Sequence, residues 1–326
     1  MRSPALALLL CLHACGTNAT PAPTSSPDAS QDAPAVDAAV TDQAPSDGAS
    51  PPDGMAPTSP LVEARPYTLR GSDASGPSPL VLLLHGYGAS GSAQDIYFRF
   101  GRLAESEGFL LALPDGSPEA LSRRLFWNAT EACCDFAGSG VDDVAYLSAV
   151  VQDVRARRQV DPRRIYVVGH SNGGFMAHRL ACERSGLFAA AVSLAGALGR
   201  EESACAPTGP VAVLQVHGTM DTTVRYEGGV FAVPGGDRRY PSASDTVARW
   251  ARYNRCGARM ALPRRLDLDG MLAGEDTRLE AHIGCMGGAA ELWTIEGGAH
   301  IPNLTNRWAE SVYAWLQAHP RAEPAR

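Results

Sequence analysis

A serine between glycines is the clearest chemical signal in the chain. The segment reads Gly169-His170-Ser171-Asn172-Gly173-Gly174 and directly follows the apolar run Arg164–Val168. It fits the pattern G-x-S-x-G, in which a strand turns sharply into a helix and projects the serine hydroxyl above a sheet. Glycines suit this turn because a larger side chain at either position would crowd it. We therefore predict that Ser171 is a nucleophile.

A serine hydroxyl needs a base, which is usually a histidine held by a third group. Three of the eight histidines lie outside the glycine turns, the termini and the helix after Ser171, and these are His217, His282 and His300. The segment Glu296-Gly297-Gly298-Ala299 separates His300 from an apolar run before it, and a helical pattern follows. This setting, late in the chain and after a strand, predicts that His300 is the base.

The acid of such a triad is expected between the nucleophile and the base in the chain. Asp221 is the first carboxylate after the apolar run Val211–Val216, whereas Glu227 and Asp237 lie farther from it. We therefore predict that Asp221 orients the base, although an exposed loop aspartate is the alternative. His217, at the end of the same run, would then support the turn.

A second glycine turn could stabilise the negative charge that forms on a substrate oxygen. It reads His85-Gly86-Tyr87-Gly88 and follows the first strongly apolar run. We predict that the backbone N–H groups of Tyr87 and Asn172 form the oxyanion hole, because one donor normally follows the nucleophile and the other comes from this turn. A glycine turn without this role is the alternative.

The elements that must position these residues follow an alternating pattern. Apolar runs, expected to be strands, are Pro79–Leu84, Phe109–Leu113, Arg164–Val168, Ala189–Leu194, Val211–Val216 and Ala290–Ile295. Helical patterns lie between them at Ala93–Ser106, Asp142–Arg157, Phe175–Glu183, Ala243–Tyr253 and Thr305–Ala318. Continuous apolar runs are typical of parallel strands that are buried on both faces. Residues 61–326 are therefore predicted to form one α/β catalytic domain, with a mostly parallel central sheet, helices on both faces and the site at the carboxyl ends of the strands.

The first sixty residues differ in composition from the rest. Residues 1–15 combine Arg2, a short apolar run and the sequence Leu12-His13-Ala14-Cys15, which predicts an export signal ending in a lipobox with Cys15 as the lipidated residue. Gly16 then favours the outer membrane or cell surface over other destinations. An ordinary cleaved signal peptide, giving a periplasmic or extracellular protein, is the alternative. Residues 16–60 are almost entirely Ala, Pro, Ser, Thr, Asp and Gly, and we predict a disordered linker.

Composition excludes several other classes of partner. The formal net charge is −7, and all 28 basic residues are arginines spread along the chain. No basic stretch is concentrated enough to predict nucleic-acid binding. No apolar run approaches the roughly 18 residues of a transmembrane helix, so contact with a membrane is expected only through the lipid.

Taken in order, these motifs resemble the polyhydroxybutyrate depolymerase and feruloyl esterase-like family of α/β-hydrolases, of the carbohydrate esterase family 1 type. The resemblance covers about residue 65 to the end, and its further segments are PDG at 114–116, FWNATEACCD at 126–135, VDDVAYL at 141–147 and HGTMDTTVRYEGG at 217–229. It implies a Ser171–His300–Asp221 triad, small or polymeric carboxylic esters as substrates, and no metal or cofactor. Tyr87 and Trp127 could line an aromatic acyl pocket, although core packing suits Trp127 equally well. One departure is Ile301-Pro302-Asn303, where the family usually has an aromatic residue followed by Pro-Gly.

Six cysteines remain in the predicted domain, and none is spaced for zinc. An even number in an exported domain predicts disulfides, although six cysteines allow 15 pairings. The family resemblance and chain order together favour Cys182–Cys205 and Cys256–Cys285. Cys133 and Cys134 would then form a vicinal bridge or remain free.

Two other functions are consistent with part of this pattern. A peptidase of the prolyl oligopeptidase type shares the triad order, but it usually carries a large extra domain for which 266 residues leave little room. A non-catalytic surface binding protein could retain the scaffold, but an intact Ser, Asp and His argue against it. Feruloyl esters, acetylated xylan and hydroxybutyrate oligomers all fit as substrates, and the sequence does not indicate an oligomeric state.

Overall fold

The computed structural model describes residues 58–71, 76–233 and 236–322. The predicted signal sequence, Cys15 and nearly all of the predicted linker lie outside the described residues. These described residues form one compact unit.

The strands within the described residues pair mainly into one large sheet. In chain order they are β1 (Tyr67–Arg70), β2 (Ser78–Leu84), β3 (Leu110–Pro114), β4 (Ser117–Pro118), β5 (Leu125–Phe126), β6 (Val160–His170), β7 (Ala190–Leu194), β8 (Ala212–Gly218), β9 (Gly229–Val233), β10 (Gly236–Tyr240), β11 (Arg259–Leu266), β12 (Thr277–His282) and β13 (Ala289–Ile295). Nine of them form a sheet in the order β1-β3-β2-β6-β7-β8-β13-β12-β11, and β4–β5 and β9–β10 form two small hairpins. The six strands from β3 to β13 are parallel, while β1, β12 and β11 add antiparallel edges. The prediction of a mostly parallel sheet is confirmed.

Helices cover both faces of this sheet. They are α1 (Pro60–Ala64), α2 (Gly91–Phe98), α3 (Phe100–Glu107), α4 (Asp143–Arg157), α5 (Asn172–Glu183), α6 (Ala243–Tyr253) and α7 (Arg307–Gln317), with a short 3-10 turn at Glu202–Ala204. All seven residues of β2 are buried, which requires cover on both sides because successive side chains point in opposite directions. The even-numbered leucines of β2 pack in a core with α4, α5 and α6, and its odd-numbered residues pack in a core with α2, α3 and α7. This confirms the two-faced architecture.

One predicted helix is divided in two. The pattern at 93–106 predicted a single helix, but Arg99 adopts a left-handed conformation with φ 62° between α2 and α3. The buried Asp95 carboxylate accepts a hydrogen bond from the Gly101 amide at 2.6 Å. A side chain at 101 would lie 2.5 Å from that carboxylate, so the glycine permits the break. In the part of the chain that the structure describes, no helix has the length and hydropathy required to span a bilayer.

Candidate active site

The turn from β6 into α5 places Ser171 at the carboxyl edge of the sheet. Ser171 has φ 53° and ψ −120°, which is a strained conformation for a residue other than glycine. A Cβ at Gly169 would lie 2.1 Å from the Gly173 carbonyl oxygen, and one at Gly173 would lie 2.4 Å from the Leu84 carbonyl oxygen. Both glycines are therefore required by the close approach of backbone atoms. The backbone N–H of Ser171 donates to the Leu194 carbonyl at 2.8 Å and fixes the turn to β7.

The structure brings Ser171, His300 and Asp221 into one hydrogen-bonded series. Ser171 Oγ lies 2.9 Å from His300 Nε2, and His300 Nδ1 lies 2.8 Å from Asp221 Oδ2. His300 follows β13 and Asp221 follows β8, and these strands are neighbours in the sheet. The Asp221 carboxylate accepts a hydrogen bond from His300 Nδ1–H, which leaves Nε2 free to accept the serine hydroxyl proton. This geometry can activate Ser171 as a nucleophile.

Asp221 is held as a buried carboxylate by several donors. Its Oδ1 accepts the backbone amides of Thr223 and Val224 at 2.8 and 2.9 Å, while its Oδ2 faces His300 and His217. Burial acts to raise the pKa of Asp221, but hydrogen bonds from His217 and His300 outweigh it and hold the pKa well below its ordinary value. Asp221 is therefore ionised at neutral pH.

A chain of buried side chains runs from α6 to this acid. Trp250 Nε1 donates to His178 Nδ1 at 3.1 Å, and His178 Nε2 donates to Gln215 Oε1 at 2.8 Å. Gln215 Nε2 in turn donates to His217 Nδ1 at 3.1 Å, and His217 Nε2 donates to the Val224 carbonyl at 2.7 Å. Each ring nitrogen of His178 thus has one partner, whereas His217 Nε2 also lies 3.3 Å from Asp221 Oδ2. The series orders the turn that carries Asp221.

His170 contacts the other side of the predicted base. Its Nε2 donates to the His300 backbone carbonyl at 3.0 Å, and the two ring centroids are 5.2 Å apart. The ring of Tyr97 packs edge-on against His170 at 5.5 Å. His170 therefore holds the loop after β13 near Ser171. Sequence reasoning missed this role, because His170 lies within the glycine turn and has no separate signal.

The buried histidines make the free energy of unfolding depend on pH. Burial lowers the pKa of His170 and of His178 to about 4. Between pH 6.5 and 4 the unfolded chain binds protons that the folded chain does not, so stability falls as pH is lowered. The free energy of unfolding should fall by about 2 kcal/mol per histidine between pH 6.5 and 5. Urea unfolding across this range should show this loss of stability. His178→Gln should reduce the slope of the free energy of unfolding against pH by about the contribution of one histidine. An unchanged slope in that variant would contradict the assignment.

The turn after β2 lies beside the serine, as an oxyanion hole requires. A Cβ at Gly86 would be 3.5 Å from Ser171 Cβ. The Gly86 amide donates to Gln94 Oε1 at 3.3 Å, and His85 Nε2 accepts the Gly116 amide at 2.9 Å, which fixes the turn. Among the described residues, no backbone carbonyl accepts a hydrogen bond from the amide of Tyr87 or Asn172. Both predicted donors therefore remain available to a substrate oxygen.

Trp127 does not line an open pocket. Its side chain has no exposed surface, and its ring N–H donates to the His85 carbonyl at 3.0 Å. Its backbone N–H donates to Asn172 Oδ1 at 2.7 Å, and its carbonyl accepts from Asn172 Nδ2 at 2.9 Å. The prediction that Trp127 contacts the substrate is therefore wrong. Its buried side chain instead supports the turn at His85, and its backbone holds the side chain of Asn172.

The six cysteines of the unit form three disulfides. The structure joins Cys182 to Cys205, Cys256 to Cys285, and Cys133 to Cys134. Asn172 Nδ2 lies 3.7 Å from Cys133 Sγ, so the vicinal pair borders the residue that follows the nucleophile. Among the described residues, no group of three or more His, Cys, Asp or Glu side chains is arranged to hold a metal ion.

Comparison with known proteins finds a peptidase family and several esterases that are similar to this chain. The prolyl oligopeptidase family matches residues 138–200, which include Ser171. The putative esterase NocK of Nocardia uniformis subsp. tsuyamanensis is 34% identical over 150 residues, covering 46% of this chain and 42% of NocK. Feruloyl esterase B of Piromyces equi is 28% identical over 228 residues, covering 68% of this chain and 39% of that protein. The chain therefore spans about two fifths of the length of these two relatives.

Two further matches extend over more of both partners. Feruloyl esterase D of Neurospora crassa is 27% identical over 258 residues, covering 74% of this chain and 75% of that protein. The solved acetyl xylan esterase from Aspergillus awamori superposes with a TM-score of 0.54 at 17% identity, covering 77% of this chain and 92% of the other, which shows a shared fold. With the sheet order and the turn at Ser171, these matches show that the chain is similar in sequence to feruloyl esterases and shares its fold with a solved acetyl xylan esterase.

Proposed function

We propose that this protein hydrolyses carboxylic esters through an acyl-enzyme formed on Ser171. The observation that carries the proposal is the hydrogen-bonded series from Ser171 Oγ through His300 to Asp221, with distances of 2.9 and 2.8 Å. A serine, a base and a buried carboxylate in this order are what nucleophilic acyl transfer requires. Relatives named as feruloyl and acetylxylan esterases support an ester as the substrate.

Each residue has a defined task in the proposed reaction. Ser171 Oγ attacks the ester carbonyl carbon while His300 Nε2 takes the hydroxyl proton. The amides of Tyr87 and Asn172 donate to the resulting oxyanion, and the alcohol leaves with the proton from His300. Water then repeats these steps on the acyl-enzyme, which releases the acid and restores Ser171. Asp221 remains ionised and stabilises the imidazolium of His300.

An aromatic acyl group is the substrate class that we favour. Three half-buried rings form a row beside the oxyanion turn, since Tyr87 lies 6.3 Å from Phe136 and Phe136 lies 6.3 Å from Phe231. Aromatic rings stack on such a row with a gain of about 0.5–1.5 kcal/mol beyond burial. A feruloyl ester would benefit from this gain, whereas an acetyl ester or a hydroxybutyrate oligomer would not.

A panel of substrates tests the reaction and its specificity. The panel compares hydrolysis of p-nitrophenyl acetate, methyl ferulate and a 3-hydroxybutyrate dimer at equal enzyme concentration. We expect methyl ferulate to have the highest kcat/KM. Phe136→Ala should lower kcat/KM for methyl ferulate by up to about tenfold while changing the value for the acetate little. Equal losses on both esters would contradict the aromatic row.

The prolyl oligopeptidase match makes a peptidase the second candidate. The panel therefore includes a peptide p-nitroanilide, which we expect to remain intact because the sequence relatives given above are named as esterases. Cleavage of the anilide at a rate comparable with the esters would reverse the assignment. A serine-reactive phosphonate should label Ser171 in either case, and failure to label would favour a non-catalytic binding protein.

We also propose that the protein is exported and anchored by a lipid on Cys15, with residues 16–60 as a tether. Three disulfides support an oxidising compartment outside the cytosol. A Cys directly after a short apolar run supports acylation. In bacterial cells the protein should sediment with membranes, and Cys15→Ala should move it to the soluble fraction. Mass spectrometry that finds an unmodified N-terminus away from Cys15 would contradict lipidation.

A further inference from the structure

A second cavity lies beside helix α5, away from the reactive serine. Its volume is about 440 Å³, within the range of small-molecule sites. Arg179 and Cys182 line it from α5, eight and eleven residues after Ser171. At 1.5 Å per helical residue, they lie about 12–17 Å along the helix from Ser171. Two half-buried rings, Phe136 and Tyr253, form part of the wall. We call this the α5 cavity.

Two of the carboxylates that line the α5 cavity are occupied by backbone amides. Glu131 Oε1 accepts from the amides of Arg200 and Glu201. Asp135 accepts two amides of the loop at 139–140, at 2.8 and 2.7 Å. These amide contacts occupy acceptor positions of both carboxylates and fold the walls of the cavity.

The other two carboxylates of the cavity are paired with arginines. Glu183 Oε1 lies 2.6 Å from Arg179 Nε, and Glu201 Oε1 lies 3.8 Å from Arg200 Nε. Together with the amide-bound pair, every carboxylate that lines the α5 cavity has a partner.

Two arginines of the cavity have no such partner. Arg249 Nη1 donates to the Gly199 carbonyl at 2.7 Å, and Arg238 Nη1 donates to the Glu131 carbonyl at 3.1 Å. Among the described residues, neither guanidinium lies within 4 Å of a carboxylate. One Nη atom thus fixes each side chain to the wall, and the remaining N–H groups are donors that a ligand can use. This favours an anion in the cavity.

We propose that the α5 cavity is a second binding site, which takes an organic carboxylate on Arg238 and Arg249. Guanidinium groups bind planar carboxylates with two parallel hydrogen bonds, and the rings of Phe136 and Tyr253 suit the body of such a ligand. A carboxylate of this size has two sources, a uronic acid unit of a polysaccharide or a free aryl acid. Phe136 also belongs to the ring row beside the oxyanion turn, but Arg238 and Arg249 have no task in the proposed reaction, so binding on these arginines does not depend on the ester hydrolysis.

Calorimetric titration of the full-length protein tests the proposal directly. The probes are D-glucuronate, D-glucose, which lacks the carboxylate, and ferulate. We expect at least one of the two carboxylates to bind and glucose not to bind. Arg249→Gln should weaken that binding by about tenfold or more, and Arg249→Lys should restore part of it by returning the charge. The control Arg252→Gln removes an exposed arginine, three residues along α6 and paired with Glu202 outside the cavity, and should bind as the unchanged protein does.

The variants also distinguish the two sources. Loss of glucuronate binding in Arg249→Gln assigns the cavity to a uronic acid, and loss of ferulate binding assigns it to an aryl acid. The proposal is overturned if neither carboxylate binds, if glucose binds as well as glucuronate, or if Arg249→Gln and Arg238→Gln leave both affinities unchanged. Thermal unfolding of each variant checks that a loss of affinity is not a loss of fold.

Discussion

Replacing Ser171 with alanine should lower kcat for a p-nitrophenyl ester by about 10⁶-fold, because the acyl-enzyme can no longer form. The methyl group of alanine fits the space of the serine side chain, and the strained backbone at 171 is retained. KM should therefore change much less than kcat. Stopped assays over hours are required, since the remaining rate approaches that given by the oxyanion hole alone.

A matched control separates loss of the nucleophile from loss of fold. Ser106 is an exposed serine on α3 whose hydroxyl contacts only a nearby backbone carbonyl, so Ser106→Ala should keep full activity. The phosphonate should label the Ser106 variant on Ser171 and should not label Ser171→Ala. Turnover by Ser171→Ala within a hundredfold of the unchanged enzyme would show that another group attacks the ester.

The Asp221→Asn variant should lose about 10⁴ in kcat while keeping its fold. An amide NH₂ in place of Oδ2 would face His300 Nδ1, so the imidazole would carry its proton on Nε2 instead. Nε2 could then no longer accept the Ser171 proton. The rate of phosphonate labelling should fall in parallel, because it depends on the same proton transfer.

Asp237 provides the comparison for this change. It lies on the exposed hairpin β9–β10, and its nearest ion-pair contact is a 3.9 Å approach to Arg239. Asp237→Asn should leave kcat and KM unchanged. If Asp221→Asn kept its activity and a change at Glu227 abolished it, the acid would have been assigned to the wrong residue.

Much of the central sheet can be predicted from the sequence because parallel strands buried on both faces leave continuous apolar runs. The edge strands are harder: β11 is mostly exposed and rich in arginine, so it carries no such run. Similarly, the break at Arg99 depends on a contact between Asp95 and Gly101 that no periodicity records. The pattern of apolar residues along the chain therefore predicts the buried strands. It does not predict a helix break that depends on a single hydrogen bond.

The residues of the candidate site differ in the same way. Ser171 has a local signature, and chain order narrows the choice of base to a few histidines. Trp127 could not be assigned from the sequence, because an aromatic residue in a family motif suits a pocket and a core equally, and only its complete burial separates them. The α5 cavity has no sequence signal, since Arg238 and Arg249 come from a hairpin and a helix that meet only in the fold.

The spacing of the three site residues along the chain has a consequence for biogenesis. His300 lies 129 residues after Ser171 and 79 after Asp221, and it reaches them only when β13 pairs with β8. Contacts between residues this far apart in the chain form late in folding, because the entropy cost of closing the loop must be met before the contacts stabilise the fold. A chain emerging from the ribosome or crossing a membrane would therefore carry an exposed nucleophile without its base. During refolding, hydrolytic activity should return after helical circular dichroism, in step with docking of this last parallel strand.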